Sequence, residues 1–111
     1  MARFVAGDVV IVPFPFTDFS STKVRPALVL AAFSRADILL CQITSKPLGH
    51  PQAVPVRASD FVGPQRLPRD SFALPHRLAT ANDSCVLRTS GKIQALKLTE
   101  IRERVCALVK S

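Results

Sequence analysis

At 111 residues the chain is long enough for one domain with a core and too short for two. Hydrophobic residues make up 48%, which excludes a disordered chain, and no apolar run approaches the ~20 residues that span a bilayer. Fifteen Lys and Arg against eight Asp and Glu leave a net charge of +7, which favours a polyanionic partner, either nucleic acid or an acidic protein.

The first half of the chain reads as β-structure. Val9 to Val12 is a β-branched run opened by Gly7-Asp8 and closed by Pro13 and Pro15. Being apolar throughout, it predicts burial on both faces, by a barrel interior and by a helix or partner. Residues 16 to 24 are rich in small polar side chains and predict a loop, which carries Phe16 and Phe19. A second strand runs from Ala27 to Ala32, with Pro26 at its first position, where a missing N–H is tolerated. The connection Phe33 to Asp37 is of hairpin length and leads to a third strand, Ile38 to Thr44. Ser45 to Gln52 is a loop, Val54 to Arg57 a short strand, and Ser59 to Pro68 irregular. Ser71 to Leu74 is read as a fifth strand, and Ala79 to Leu87 fits neither strand nor helix cleanly. Thr99 is the expected cap of a C-terminal helix, with Glu100 and Glu103 in its first turn and Lys110 in its last. Ile101, Val105, Leu108 and Val109 form its apolar stripe, which should pack on the barrel or on a second subunit. Short strands with turn signals, ended by one helix, predict a mainly β (α+β) domain over residues 1–111: a small SH3-like β-barrel with a C-terminal helical cap.

Cys41, Cys85 and Cys106 are odd in number, widely spaced and without a C-x-x-C, which argues against a disulfide framework and a zinc knuckle. Their apolar neighbours predict three buried thiols in a reducing compartment. The first twelve residues lack a signal-peptide cleavage pattern, and the expected location is the cytoplasm.

The common catalytic signatures are missing: no G-x-G-x-x-G, Walker loop, H-E-x-x-H or G-x-S-x-G occurs. His50 and His76 each stand beside a Pro in an expected loop, and with no third ligand in sight neither a metal site nor a cofactor is predicted. What remains is Arg25 and Thr44. If the second and third strands form an antiparallel hairpin, counting outward from its turn brings these two level at one rim of the barrel. Lys23, Ser45 and Lys46 share that rim. Fixed donors of this kind suit a phosphate, which Arg can grip in a bidentate way. RNA supplies its own nucleophile, the 2′-OH, so such a rim could cleave it by orienting that hydroxyl and neutralising charge on phosphorus. Arg25 would stabilise charge, and Thr44 would bind a phosphate oxygen or orient the attack. An Arg before a strand is ordinarily a solvated charge and a strand-end Thr an ordinary β-former, so the residues alone leave both readings open. Ser21, Lys23, Ser45, Lys46 and Arg69 are further candidates for substrate contact. Phe16 and Phe19 either stack on bases or plug the barrel mouth. His50 is read as a loop residue first and a general acid second, and Ser71 as a tie on the backbone at a strand start.

Five stretches resemble, in order, those of the MazF/PemK-like toxin family. They are residues 7–18 (GDVVIVPFPFTD), Arg25-Pro26-Ala27-Leu28-Val29-Leu30, Gln42-Ile43-Thr44-Ser45-Lys46, Leu67-Pro68-Arg69-Asp70-Ser71, and Gly91-Lys92-Ile93 followed by the helix. The resemblance implies a homodimeric SH3-like barrel that cleaves single-stranded RNA without metal and leaves 2′,3′-cyclic phosphate and 5′-hydroxyl ends. It implies an antitoxin partner whose acidic tail occupies the RNA groove, and it makes Arg25 and Thr44 the catalytic pair. The alternative is a non-catalytic barrel of the same kind acting on a protein target such as DNA gyrase.

Overall fold

Four β-branched residues in a row, Val9 to Val12, favour an extended chain, because branching at Cβ restricts χ1 and suits a pleated surface. In the computed structural model of the chain, which describes residues 3–15, 20–46 and 49–111, this run is the centre of strand β1, Asp8–Pro15. Among the described residues the strands that follow are β2 Thr22–Ala32, β3 Asp37–Thr44, β4 Val54–Val56, β5 Ser71–Asn82 and β6 Arg88–Lys92, and the helix α1 spans Ala95–Lys110. They form one antiparallel sheet in the order β4-β5-β3-β2-β1-β6. No helix among the described residues is long and apolar enough to cross a membrane.

The sheet curls until its two ends touch. Bulges between Val9 and Val10 and between Val29 and Ala31 each add one residue to one strand, a larger one between Cys41 and Ile43 adds three to β5, and each bends the sheet. Beyond β4 and β6 the two edges then meet in a single bridge, Phe61 to Ile93. Val62 N–H donates to Lys92 O at 2.7 Å, and Gln94 N–H donates to Asp60 O at 2.8 Å. The result is the expected mainly β architecture with a C-terminal helix, as a half-barrel closed at one point. Closure needs Gly91: a Cβ there would lie 2.7 Å from Gln65 O and 2.8 Å from the Phe61 ring, and its φ is +140°.

Both faces of β1 are buried, as its sequence predicts. Val9 and Ile11 join Leu28, Leu30, Cys41 and Ile43 in an inner cluster, which α1 covers with Ile101, Leu98 and Val105. Val10, Val12 and Phe14 join Ala27, Val29, Ile38 and Leu40 on the other face, where Phe4, Ala79, Ala81 and Val86 pack against them. The helix therefore lies on the barrel, and the second face is covered by Phe4 and by side chains of β5 and the turn after it.

Prolines mark where the ladder loses a neighbour. β6 follows β1 only to Ile11, opposite Arg88, so Pro13 and Pro15 need hydrogen-bond on one side only, and the strand runs on through them instead of stopping at Val12. Likewise β2 begins at Thr22 rather than Ala27, because its first half pairs with β1 alone. The β2–β3 ladder starts at Ala27 opposite Gln42, beside Pro26.

The helix starts a turn earlier than its expected cap. Its N-cap is Gln94, which has no side-chain cap bond to the helix; instead Gln94 Nε2 donates to Ser59 O at 3.1 Å. Thr99, Glu100 and Glu103 lie inside the helix. Ile101 is fully buried and Val105 and Leu108 half-buried, but Val109 is exposed and drops out of the stripe. Arg102 fixes the helix to the sheet: Nε and Nη2 both donate to Leu30 O, at 3.1 and 2.6 Å. Leu30 is the residue skipped in the β2–β3 register, so its carbonyl is free to accept them.

The cysteine expectation holds for one residue of three. Cys41 is buried, and burial pushes its thiol up to about 12, partly opposed by hydrogen bonding with the Leu74 backbone. Cys85 lies in the 3-10 turn after β5 and Cys106 on the outer side of α1, and both are exposed. Apolar neighbours in sequence do not bury a residue that a turn or helix rotates outward.

Thiol titration of the folded protein should therefore register two fast equivalents, with the third appearing only in denaturant; three fast equivalents would contradict the burial of Cys41. Gly91→Ala should lower the urea midpoint far more than Gly63→Ala, whose φ is +76° but whose Cβ would meet nothing within 4 Å. The expected cost is about 1–3 kcal/mol for Gly63→Ala and more for Gly91→Ala, where strain and collision add.

Candidate nucleic-acid interface

Beyond Ala27 and Gln42 the central strands part. β2 continues with β1, placing Arg25 opposite Val12 and Lys23 opposite Phe14, while β3 continues with β5, placing Thr44 opposite Phe72. Extending the register from Ala27–Gln42 by two residues brings Arg25 level with Thr44. The gap between the diverging strands is a groove of about 580 Å³. Its lining includes Lys23, Arg25, Thr44, Ser45, Lys46 and Arg69, with Pro26, Ile43, Leu67 and Pro68 as the apolar part and Ser71 at its edge.

The groove thus gathers most of the candidates read from the sequence. Ser21 is exposed just before β2 and is not among the lining residues. Phe16, like Phe19, lies outside the described residues. His50 does not line the groove either. His76 belongs to β5 rather than a loop, and its ring centroid is 5.0 Å from that of His50. Desolvation, then the charges of His50 and Arg77, hold the His76 imidazole below its ordinary value.

Local hydrogen bonds fix the rim. Thr44 Oγ1 accepts the Lys46 N–H at 3.1 Å and approaches Lys46 O at 3.3 Å, which folds the chain back at the end of β3 and sets Lys46 beside Arg25. Across the groove, Ser71 Oγ donates to Arg69 O at 3.0 Å, so Ser71 does tie backbone at a strand start. Arg25 makes only a 3.3 Å contact from Nη1 to Val24 O, which leaves most of its donors available.

The charge on the groove is one-sided. Lys23, Arg25, Lys46 and Arg69 line it, and among the described residues no carboxylate does. Among the described residues none of the four is ion-paired; the salt bridges lie elsewhere, at Arg3–Asp83, Lys92–Asp8 and Lys97 with Asp60 and Glu100. Like charges gathered on one groove repel, and an anion bound between them removes that cost. No group of three His, Cys, Asp or Glu suited to a metal ion occurs among the described residues. The chemistry on offer is therefore guanidinium, ammonium and hydroxyl donation to an anion.

Two residues of this region were not singled out by the sequence reading. Gln42 and Arg77 line a smaller pocket that shares Lys23 and Arg25 with the groove. A polar side chain in the middle of the otherwise apolar run Ile38 to Ile43 is the signal that would have found Gln42.

The fold has known relatives. The crystal structure of MazF from Deinococcus radiodurans is similar at a TM-score of 0.76 and 22% identity, covering 97% of this chain and 97% of that one. A MazE–MazF structure from the same organism is similar at 0.73 and 22%, covering 96% of each chain. An endoribonuclease in complex with its cognate antitoxin from a mycobacterial species is similar at 0.74 and 14%, covering 97% and 96%. No curated protein sequence matches the chain. The family model for the PemK-like, MazF-like toxin of type II toxin–antitoxin systems matches residues 6–109. With nearly its whole length matched, the chain belongs to that toxin family.

Proposed function

We propose that the chain is a metal-independent endoribonuclease that binds single-stranded RNA along the groove and cleaves it by attack of a 2′-OH on the adjacent phosphorus. The observation that carries this reading is the cluster of Arg25, Thr44, Lys46 and Arg69 around one groove that no carboxylate among the described residues lines. The endoribonuclease named among the similar folds supports it.

In this reading the phosphate sits between Arg25 and Thr44. The bond from the 2′-oxygen to phosphorus forms as the bond to the 5′-oxygen breaks, leaving a 2′,3′-cyclic phosphate and a 5′-hydroxyl. Among the described residues neither an imidazole nor a carboxylate lines the groove. In this reading the proton lost by the 2′-OH and the proton gained by the 5′-oxygen are exchanged with water. Arg25 acts on charge: a guanidinium keeps its proton and stabilises the dianionic phosphorane. Thr44 holds the Lys46 turn and offers its hydroxyl to a non-bridging oxygen. Lys23, Lys46 and Arg69 hold flanking phosphates, and Ser45 is an additional hydroxyl at the rim.

The same donors suit the acidic tail of a cognate antitoxin, which would block RNA by occupying the groove. The MazE–MazF assemblies among the similar folds support a partner of that kind. A homodimer extending the groove over two copies, acting in the cytoplasm where its substrate is, completes the reading.

Cleavage of a long single-stranded RNA should persist in excess EDTA, leave 5′-hydroxyl ends, and fall at least a hundredfold in Arg25→Ala with the melting temperature unchanged. This scale is what removal of one transition-state donor costs elsewhere. Full activity in Arg25→Ala would remove it from the catalytic role, and intact RNA with wild-type protein would favour a non-catalytic toxin with a protein target. Binding should weaken with salt, and Arg69→Ala should reduce the slope of log K against log salt by about 0.7, the value per phosphate contact on a single strand. An unchanged slope would mean that Arg69 touches no phosphate.

A further inference from the structure

β5 leaves its partner for four residues. Cys41 pairs with Leu78 and Ile43 with Ala73, so Leu74, Pro75, His76 and Arg77 together oppose the single residue Gln42. Pro75 cannot donate to the ladder, which favours the excursion at this position. The bulge carries Arg77 over Gln42, and the two line a small pocket with Lys23, Arg25, Phe14 and Pro15.

One polar group of this pocket is left unsatisfied. Arg77 Nε is buried and has no hydrogen-bond partner among the described residues. Beside it lies the Gln42 side chain, only 8% exposed. Buried donors and acceptors are normally paired, because leaving them without water or a partner is costly. An unpaired guanidinium N–H beside a nearly buried amide, next to Arg25, therefore points to a ligand group that pairs them when bound.

Their chemistry narrows what that group is. A phosphate needs donors alone, and the groove already supplies four cations. Gln42 is different in kind, because its amide both donates and accepts. Phe14 and Pro15 give the pocket apolar walls. Its volume of about 50 Å³ has room for roughly one or two waters at ~30 Å³ each, so it admits the edge of a ring and not the whole ring. A nucleobase edge presents an acceptor beside a donor, which an amide reads in a bidentate way and an Arg N–H can reinforce.

We propose that Gln42 and Arg77 form a specificity subsite that reads the edge of one nucleobase next to the scissile phosphate. Arg25 and Lys23, shared by pocket and groove, set the spacing between the base that is read and the bond that is cut. The inference rests on the endoribonuclease reading, and the experiment separates the two.

A random-sequence single-stranded RNA pool is cut in EDTA by wild type, Gln42→Met and Arg77→Met, and the cut sites are sequenced and normalised to total cleavage. Methionine matches glutamine in length and keeps the unbranched apolar stem of arginine, and it removes the polar end of each. The expected result is a base preference at one position beside the cut in wild type that falls about tenfold or more in each variant, with preferences at other positions retained. A profile that stays the same while all sites slow equally would overturn the proposal, since a contact to ribose or phosphate, or a purely structural role, acts on every sequence alike. If Gln42→Met melts early, Arg77→Met, whose side chain is only half-buried, carries the test alone. Wild type that cuts nothing fails the endoribonuclease reading itself, whereas a wild-type preference that both variants keep fails only the subsite.

Discussion

A proline nitrogen has no hydrogen to donate, and Pro26 sits where the central ladder of this sheet ends. On one side of Pro26, β2 and β3 are zipped from Ala27–Gln42 to Ala32–Ile38; on the other, β2 follows β1 and β3 follows β5. Two strands committed to different neighbours must splay, and the splay is the groove. Side chains that alternate along strands do the rest: Lys23, Arg25 and Ala27 share a face of β2, as do Leu40, Gln42 and Thr44 on β3. Their inner members are core and their outer members are charged or hydrogen-bonding. The site is thus the continuation of the second hydrophobic cluster past the point where the ladder stops.

This geometry explains how much of the site was legible in the sequence. A hairpin with a short turn fixes the level of its arms, so Arg25 and Thr44 could be set side by side before any coordinates. The bulge between Val29 and Ala31 shifts the register by one residue, so that Arg25 and not Pro26 comes level with Thr44, a shift within the coarseness of the expected levelling. What could not be read was the other neighbour of β3. The run Leu74-Pro75-His76-Arg77 breaks period-two alternation because four residues face one. Sequence patterning has no term for a bulge of that size, so β5 was cut off at Leu74 when it extends to Asn82. β6 was missed for a different reason. Arg-Thr-Ser-Gly-Lys has no apolar alternation, and it is a strand only because β1 offers it an edge and Gly91 lets Phe61 close over it. The helix was found but started late, since Thr99 is a good cap in isolation while the observed start is fixed by tertiary bonds from Gln94 to Asp60 and Ser59.

Stability and function draw on opposite treatments of charge in the same small domain. Away from the groove, four of the eight Asp and Glu carboxylates are paired among the described residues: Asp83 with Arg3, Asp8 with Lys92, and Asp60 and Glu100 with Lys97. Pairs that still reach water on one side contribute little each, roughly 0–1 kcal/mol, but they engage acidic side chains away from the rim. What is left at the rim is repulsion between cations, which the folded state must bear and which the inner core and the Arg102 clamp on Leu30 offset.

That residual repulsion also bears on how the proposed activity is controlled. The groove is built for an anion of any origin, since a phosphate and a carboxylate both relieve the same cations. An acidic tail can therefore hold the site without imitating RNA in shape, and RNA can take it back only when the tail is removed. The smaller pocket obeys a different rule. Gln42 and Arg77 need a donor and an acceptor held in a plane, which a flexible carboxylate offers poorly and a base edge offers well. In this reading inhibition and sequence choice are decided at separate positions of one continuous surface, and the division falls at Arg25, the residue common to both.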